Sequence, residues 1–290
     1  MKTGLMFAST SFTTAEECAV AVEAAENVGI ESIWSVDHVF TPLQLESPYP
    51  YSEDGRVAGL NETVFCDPVV WLAFVAGISS KLRLGTGVMI LPQRHPALVA
   101  KEWATLDRLS GGRAMMGVGI GWLREEMEGL GIPFGERGAR MDESLAAIRS
   151  LWSEGNSTVK GKFYNWKEMI SNPKPMQKPG VPIIIGGHSA AAARRVARFG
   201  DGFFSVGSLS QVSQGGKHAL QDMLHTIHSE CRAIGRDPAT VEITVGAHGA
   251  SREQLLGLRD LGVSRVMIGV GKRDMRRRLE DFHKLVQSVG

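Results

Sequence analysis

The sequence predicts an α/β fold, a single (β/α)8 TIM barrel over residues 1–290 with long loops at the C-terminal face of its sheet. Short apolar segments alternate with longer amphipathic ones, which indicates parallel strands joined by helices. Eight such strand–helix units fit into 290 residues, a length typical of one barrel. No linker, low-complexity tract or charge block divides the chain. An open doubly wound sheet gives the same alternation and is the alternative.

The boundaries of the units follow from apolar runs and capping signals. The predicted strands are residues 3–7, 32–36, 82–90, 114–118, 182–185, 202–206, 241–246 and 265–270. The helices that follow them are residues 14–28, one opening at 67–68, 96–109, 141–152, 190–199, 217–234, 252–261 and 275–289. Thr13 or Thr14 is a predicted N-cap, Gly29 ends the first long helix, and Pro68 suits a first helical position.

Two connections are longer than is usual in a compact domain. Residues 39–66 follow the second strand, at the face where barrel active sites are built, and we expect them to act as a lid. Residues 156–181 follow the fourth main helix and therefore start at the opposite face. Simple insertion is the alternative for both. The first connection is the stronger candidate for a functional loop.

Charge and composition exclude several classes of partner. Lys plus Arg is 32 and Asp plus Glu is 31, so the net charge of +1 gives no general attraction to nucleic acid or anionic membranes. No apolar stretch reaches the length of a bilayer span, and no secretory signal is visible at the N-terminus. Three widely spaced cysteines form no disulfide framework, which suits the cytoplasm. The histidines and cysteines show no metal-binding spacing, so we expect no metal.

An Asp-His pair ends the second predicted strand. Asp37 and His38 place a carboxylate beside a ring that titrates near neutrality, at the active-site face of a barrel. We interpret both as catalytic, with His38 exchanging a proton or hydrogen bond with a bound ligand. The alternative is a loop histidine whose neighbouring aspartate pairs elsewhere.

Glycine is in excess, with 34 residues against about 20 expected from average usage of ~7%. Gly85 and Gly87 interrupt the third strand, which indicates a bulge or a close approach by a ligand. Gly117, Gly119 and Gly121 end the fourth strand, but their G-x-G-x-G spacing does not fit a dinucleotide fingerprint. We expect these glycines to form a flat surface for a planar ring; a bulge needed only for barrel closure is the alternative.

A phosphate site is predicted after the fifth strand. Gly186 and Gly187 lead into a helix N-terminus, where unpaired N–H groups attract anions, and His188 and Ser189 add side-chain donors. Ser189 acting only as a helix cap is the alternative. Three arginines further along this helix are expected to face solvent or acidic neighbours.

Other polar groups have weaker signals. The carboxylates of Glu125, Glu126 and Glu128 fit the start of a helix, where they interact with its dipole without a catalytic role. His248 follows the seventh strand and is predicted to contact substrate at the barrel mouth.

Several long motifs, in register over most of residues 1–206, resemble the bacterial luciferase-like monooxygenase family. They are GIESIWSVDH (29–38), LGTGV (84–88), PQRHP (92–96), AKEWATLDRLSGGR (100–113), GVGIGW (117–122) and IGG (185–187). Their details are similar to the branch of coenzyme F420-dependent oxidoreductases. The resemblance implies a (β/α)8 barrel that holds a deazaflavin or flavin at its C-terminal mouth, and hydride transfer to or from a small organic substrate.

The resemblance also implies roles for individual residues. Asp37 and His38 match a motif near the reactive ring, and Gly119 and Gly121 match the strand-four wall. The segment Thr86, Gly87, Val88 matches a bulge behind the ring that often carries a non-proline cis peptide bond. The phosphate turn matches Gly186, Gly187, His188 and Ser189. A homodimer is the family expectation. FMN is the alternative cofactor, in an oxygen-using monooxygenase, and a non-catalytic flavin-binding protein is a third hypothesis.

One departure from the family concerns the substrate. The sugar-phosphate dehydrogenases of the family have a glutamate after the strand-four glycines, where this chain has Trp122. Trp122 is therefore predicted to form an apolar wall for a less polar substrate.

Overall fold

The structure is a computed structural model that describes residues 1–52, 54–205 and 216–290. The main sheet has eight strand positions, and each is paired in parallel with its neighbours. The third position is divided into two short strands. The strands are β1 Lys2–Met6, β2 Ser32–Ser35, β3 Arg83–Thr86, β4 Met89–Ile90, β5 Ala114–Gly119, β6 Ser157–Lys160, β7 Asn165–Met169, β8 Ile183–Gly186, β9 Gly202–Ser205, β10 Glu242–Gly246 and β11 Arg265–Gly269. The predicted strand end at Val206 lies outside the described residues.

The main sheet is closed. Its order is β3-β2-β1-β11-β10-β9-β8-β5-β4, and β3 also pairs with β5, where Leu84 lies opposite Ala114 and Gly85 opposite Met115. Every pairing in it is parallel. The predicted TIM barrel is confirmed, and the open-sheet alternative is wrong.

Helices follow the strands, as predicted, and several of them begin at side-chain caps. They are α1 Ala8–Ser11, α2 Ala15–Val28, α3 Pro68–Ile78, α4 Pro96–Leu109, α5 Arg124–Gly129, α6 Arg137–Trp152, α7 Ala190–Phe199, α8 Gly216–Ala233, α9 Arg252–Asp260 and α10 Met275–Gln287. Thr14 caps α2 in a capping box with Glu17, and Asp67 accepts two backbone N–H bonds at the start of α3. Among the described helices, none is long and apolar enough to cross a membrane.

The inside of the barrel is filled by side chains. Trp34, Met115, Ile184, Phe204 and Met267 form a buried cluster there, and the rings of Trp34 and Phe204 stack with centroids 6.1 Å apart. Packing of this kind leaves no channel through the barrel. Ligands must therefore bind above the cluster, among the loops at the strand ends.

A buried ionic group lies at the N-terminal end of the same barrel. Arg265 is fully buried and donates two hydrogen bonds of 2.9 Å to the carboxylate of Glu31. It also bonds Thr244 and pairs with Glu242. Two carboxylates thus compensate one buried guanidinium, as burial of a charge requires.

The third strand is divided, whereas the sequence predicted one continuous strand over 82–90. The peptide bond between Gly87 and Val88, which separates β3 from β4, is cis, as the family resemblance implied. The Thr86 hydroxyl donates to the Gly117 carbonyl at 2.5 Å. The backbone of β5 approaches so closely that a Cβ on Gly117 would lie 1.7 Å from the Thr86 carbonyl oxygen. The break therefore follows from contact with β5, which a single apolar run does not reveal.

The connection over 156–181 contains two strands that the sequence did not predict. β6 and β7 form an antiparallel ribbon. Ser157 at its start bonds the Ser150 hydroxyl on α6 and accepts from the Trp166 indole on β7. No residue of the ribbon lines the two cavities at the mouth of the barrel.

Candidate active site

The mouth of the barrel contains a cavity of about 490 Å³, which we name the ring cavity. Strand ends form its floor, and the 39–66 loop covers it with Tyr49, Tyr51, Leu60 and Phe65 among others. The lid interpretation predicted this position for the loop; whether the loop moves stays a prediction.

His38 lines the ring cavity and is held from behind by a buried carboxylate. Its Nδ1 lies 2.8 Å from Oε2 of Glu126, whose other oxygen accepts the Val39 N–H at 2.6 Å. The Glu126 side chain is 0% exposed and that of His38 12%. An ionised carboxylate only accepts, so a hydrogen bond to it requires a proton on Nδ1 and leaves Nε2 as the ring nitrogen that faces a ligand. This geometry suits exchange of a proton between His38 and a bound substrate.

Asp37 does not pair with His38. Its carboxylate accepts from the Arg94 guanidinium at 2.9 Å and from the Ile90 N–H at 2.9 Å. Burial raises the pKa of Asp37, against the opposing effect of Arg94. Asp37 thus fixes β4 beneath the cavity. This agrees with the alternative interpretation of the sequence, in which Asp37 pairs with a group other than His38. Its catalytic role stays a prediction, and the carboxylate that binds His38 is Glu126.

Gly119 at the end of β5 and Gly121 just after it allow Val88 and β4 to approach closely. A Cβ on Gly119 would lie 2.7 Å from a methyl group of Val88, and one on Gly121, at φ 76°, would lie 2.8 Å from a methyl group of Ile90. Both glycines, with Gly87 and Val88, also line the ring cavity. Close packing therefore explains why bare backbone is needed here, and the same backbone forms the cavity wall.

A second cavity of about 750 Å³ adjoins the ring cavity, and we name it the anion cradle. The predicted phosphate turn lines it: Gly187, at φ 134°, leads into α7, whose first turn is capped by the Ser189 hydroxyl accepting from Ala192 N at 3.2 Å. His188 also lines the cradle and packs its ring edgewise on Tyr51, with centroids 5.5 Å apart. The turn and the N-terminus of α7 therefore face this cavity, and phosphate binding by them stays a prediction.

Three arginines also line the anion cradle, namely Arg195 on α7, Arg124 on α5 and Arg137 on α6. Arg195 is buried and pairs with Asp142 at 2.6 Å, in line with the expectation of an acidic neighbour for this helix. Arg124 and Arg137 both stack on the ring of Phe134. Burial, then the charges of Arg124 and Arg195, lowers the pKa of Arg137. Glu46, Glu125 and Glu128 line the same cavity, and Arg124 pairs with Glu128. Among the described residues Arg137 forms no ion pair with a carboxylate, so its guanidinium is the group best placed to meet a phosphate or carboxylate.

Trp122 and Tyr51 separate the two cavities and line both of them. The indole of Trp122 packs edgewise on His38, at 6.0 Å between centroids, and on Tyr49, at 5.1 Å. The predicted apolar wall is therefore beside His38. The two cavities share Gly121, Gly186 and Gly187 as well, so one elongated ligand could occupy both.

Two predicted contact residues lie away from the cavities. Thr86 is fully buried with its hydroxyl on the Gly117 carbonyl, and His248 is exposed beyond β10; neither lines the ring cavity or the anion cradle. Their roles in cofactor and substrate contact stay predictions. Conversely, Glu126, Arg124 and Arg137 were not identified as site residues. The only sequence signal for them was their position just after the strand-four glycines.

Glu125 attaches the 39–66 loop to α5. Its carboxylate accepts the backbone N–H groups of Glu46 and Ser47, at 2.7 and 2.9 Å, and the Ser47 hydroxyl at 2.5 Å. Partial burial opposes its ionisation, but the bonds from Ser47 and Glu46 outweigh burial and lower the pKa of Glu125 to about 2. From the sequence we expected Glu125 only to interact with the helix dipole. Its specific contact with the 39–66 loop was not predicted.

Glu125→Gln should loosen this part of the lid, because a neutral amide accepts weaker hydrogen bonds than a carboxylate. We expect amide hydrogen exchange of Glu46 and Ser47 to accelerate on the order of tenfold at pH 7. Since the pKa of Glu125 is depressed in the folded state to about 2, its contribution is present above about pH 4.5 and is lost as the pH falls towards 2. Glu128→Gln is the control, because Glu128 is exposed and its ion pair, among the residues the structure describes, is with Arg124 on the same helix. Equal exchange in both variants would contradict the attachment.

Comparison with known proteins places this geometry in a family. The model of the luciferase-like monooxygenase family matches residues 4–255. An uncharacterised protein of Mycobacterium tuberculosis is 34% identical over 251 residues, which are 85% of this chain and 82% of that protein. The F420-dependent glucose-6-phosphate dehydrogenase of Kineococcus radiotolerans is 29% identical over 248 residues, which are 84% of this chain and 66% of that protein.

Solved structures support the same fold. An F420-dependent secondary alcohol dehydrogenase, in complex with an F420-acetone adduct, superposes with a TM-score of 0.76 at 17% identity, covering 100% of this chain and 99% of that one. The Kineococcus protein and this alcohol dehydrogenase are both oxidoreductases. The chain therefore belongs to the luciferase-like monooxygenase family.

Proposed function

We propose that the protein is a coenzyme F420-dependent oxidoreductase that transfers a hydride between the deazaflavin and a small organic substrate. The observation that carries the proposal is the joining of an apolar cavity containing His38 to a cavity that has a helix N-terminus and three arginines in its lining. F420-dependent activity in a relative at 29% identity supports the choice of cofactor.

The residues present fit such a cofactor. The turn at Gly186 and Gly187, with Arg124, Arg137 and Arg195, would hold its phosphate and acidic groups in the anion cradle. The backbone of Gly87, Gly119 and Gly121 and the side chain of Val88 would bound its ring. When bound, the deazaflavin supplies hydride chemistry, which no side chain of the protein provides.

The protein's own contribution is proton handling and exclusion of water. Nε2 of His38 would exchange a proton with the substrate oxygen, while Glu126 keeps the ring oriented through Nδ1. The 39–66 loop and Trp122 shield this position from solvent. A buried carboxylate fixing a cavity histidine favours an enzyme over a flavin-binding protein without activity, since storage requires no oriented proton donor.

The proposal is tested by titrating the purified protein with F420 and with FMN and following fluorescence quenching. We expect F420 to bind more tightly, and the reduced F420 complex to be oxidised by a carbonyl substrate under anaerobic conditions. Tight FMN binding without F420 binding would reject the proposal in favour of an oxygen-using monooxygenase. Binding without turnover of any compound in a carbonyl and enone panel would favour the non-catalytic hypothesis.

The phosphate turn gives a separate prediction. Gly187→Val should weaken F420 binding at least about tenfold, because Gly187 has φ 134° and its Cβ would lie 3.1 Å from that of Ala192 in the first turn of α7. Gly262→Ala is the control: Gly262 also has a positive φ, 82°, but its Cβ would meet nothing within 4 Å. The F420 dissociation constant of both folded variants is the measurement, and equal constants would remove the turn from the cofactor site.

A further inference from the structure

Cationic side chains are confined to one of the two cavities. Arg124, Arg137 and Arg195 line the anion cradle, whereas no Lys or Arg is among the described residues that line the ring cavity. Arg94, which lies beneath the ring cavity, is paired with Asp37 and Asp67. His38 also lines the ring cavity, but it is already paired with the buried carboxylate of Glu126. A negatively charged substrate there would therefore lose its hydration without gaining an uncompensated counter-charge.

The negative and polar groups of the ring cavity are also largely occupied. Both oxygens of Asp37 accept hydrogen bonds from protein groups. The hydroxyls of Thr10 and Thr63 donate to the carbonyls of Phe7 and Gly59, at 2.9 and 2.6 Å. Burial, together with Tyr49, raises the pKa of Tyr51 to about 12, so its phenol is neutral at physiological pH. Nε2 of His38 has no hydrogen-bond partner among the described residues.

Apolar side chains form most of the remaining wall. Phe65 packs its ring edgewise on His38, with centroids 5.0 Å apart, and Trp122 covers another side. Phe7, at the end of β1, contributes a third aromatic ring from a backbone conformation of φ 56°, which is unusual for an aromatic residue. The local fold thus accepts an unfavourable backbone conformation at a position where an aromatic side chain reaches the cavity.

We propose that the substrate is an uncharged, mainly apolar secondary alcohol or the corresponding ketone, such as an aryl ketone, that packs among Phe7, Phe65 and Trp122. Its oxygen bonds Nε2 of His38: the alcohol donates to the unprotonated nitrogen, and the ketone accepts when that nitrogen carries a proton. This inference rests on the proposed function for the identity of the reaction but not for the binding preference. It separates the protein from a sugar-phosphate dehydrogenase, the activity named for the Kineococcus relative.

A matched pair of ketones tests the charge preference directly. Acetophenone and 4-acetylbenzoate share the ring and the carbonyl and differ by one carboxylate. Isothermal titration of the protein, free and saturated with whichever of F420 or FMN it binds, should give a dissociation constant at least about 100-fold lower for acetophenone. Glucose 6-phosphate should not compete with acetophenone. Equal binding of the two ketones, or no acetophenone binding up to its solubility limit, would overturn the proposal.

A charge-insertion variant makes the test independent of folding defects. Thr63 lines the ring cavity but is exposed, so Thr63→Lys should fold normally and reduce the preference for acetophenone at least about tenfold. Thr158→Lys, on the exposed side of β6, adds the same charge away from the cavity and should leave the preference unchanged. Equal preferences in the two variants would place the ketone outside the ring cavity and overturn the proposal.

The two proposals fail in different ways. Retention of the ketone preference without F420 binding or turnover would reject the oxidoreductase proposal and keep the substrate class. F420-dependent turnover of 4-acetylbenzoate or glucose 6-phosphate at rates matching acetophenone would reject the substrate class and keep the oxidoreductase proposal.

Discussion

His38→Ala is expected to lower turnover by about 10²- to 10⁴-fold, the usual contribution of a positioned acid or base. The ring lines the cavity, and its Nδ1 is fixed by Glu126 at 2.8 Å, so only Nε2 can serve a ligand. Cofactor affinity should change little, because the arginines and helix N-terminus of the anion cradle are separate from His38. Steady-state kinetics and F420 titration of the same preparation measure both effects.

Two further variants define the role of this pair. His225→Ala removes an exposed histidine on α8 and should leave turnover unchanged. Glu126→Gln keeps the shape of the side chain but not its charge, so it should lower turnover by less than His38→Ala, and mainly through kcat rather than KM. Undiminished turnover in His38→Ala, or partial loss that added imidazole does not restore, would argue against proton transfer by this residue.

Gly117→Ala should reduce the free energy of unfolding by at least about 4 kcal/mol, which is exceptional for the addition of one methyl group. The new Cβ would lie 1.7 Å from the carbonyl oxygen of Thr86 and 2.9 Å from its carbonyl carbon. Both are backbone atoms of a paired strand, so no side-chain rotation can relieve the overlap. Urea unfolding, followed by tryptophan fluorescence, measures the loss.

Gly77→Ala is the matched control. Gly77 lies in α3, and a Cβ there would meet nothing within 4 Å, so the same substitution should stabilise the protein by about 0.5–1 kcal/mol. If Gly117→Ala were as stable as the wild type, the backbone of β5 at Gly117 could not lie in close contact with the Thr86 carbonyl of β3.

The barrel was predictable because each unit carries its own local signals. Apolar runs gave the strands, and Thr14, Gly29 and Asp67 set the observed helix boundaries. The functional face followed from polarity and glycine at strand ends. Motif resemblance added the cis peptide bond between Gly87 and Val88.

Long-range contacts were not predictable in the same way. Glu126 is 88 positions from His38, and its spacing on α5 does not distinguish it from the exposed Glu128. Asp37, adjacent to His38 in sequence, instead bonds Arg94, because successive residues at a strand end point in different directions. The ribbon of β6 and β7 escaped prediction since its strands are short and largely exposed, and so lack an apolar pattern.

The filled barrel interior, with Arg265 held between Glu31 and Glu242 at its base, closes the barrel beneath the site. Both ligands are therefore expected to enter from the loop side of the barrel. Glu125 attaches the 39–66 loop at Glu46 and Ser47, two residues that also line the anion cradle. We expect a change in this attachment to alter the association rates of both ligands, and not of one alone.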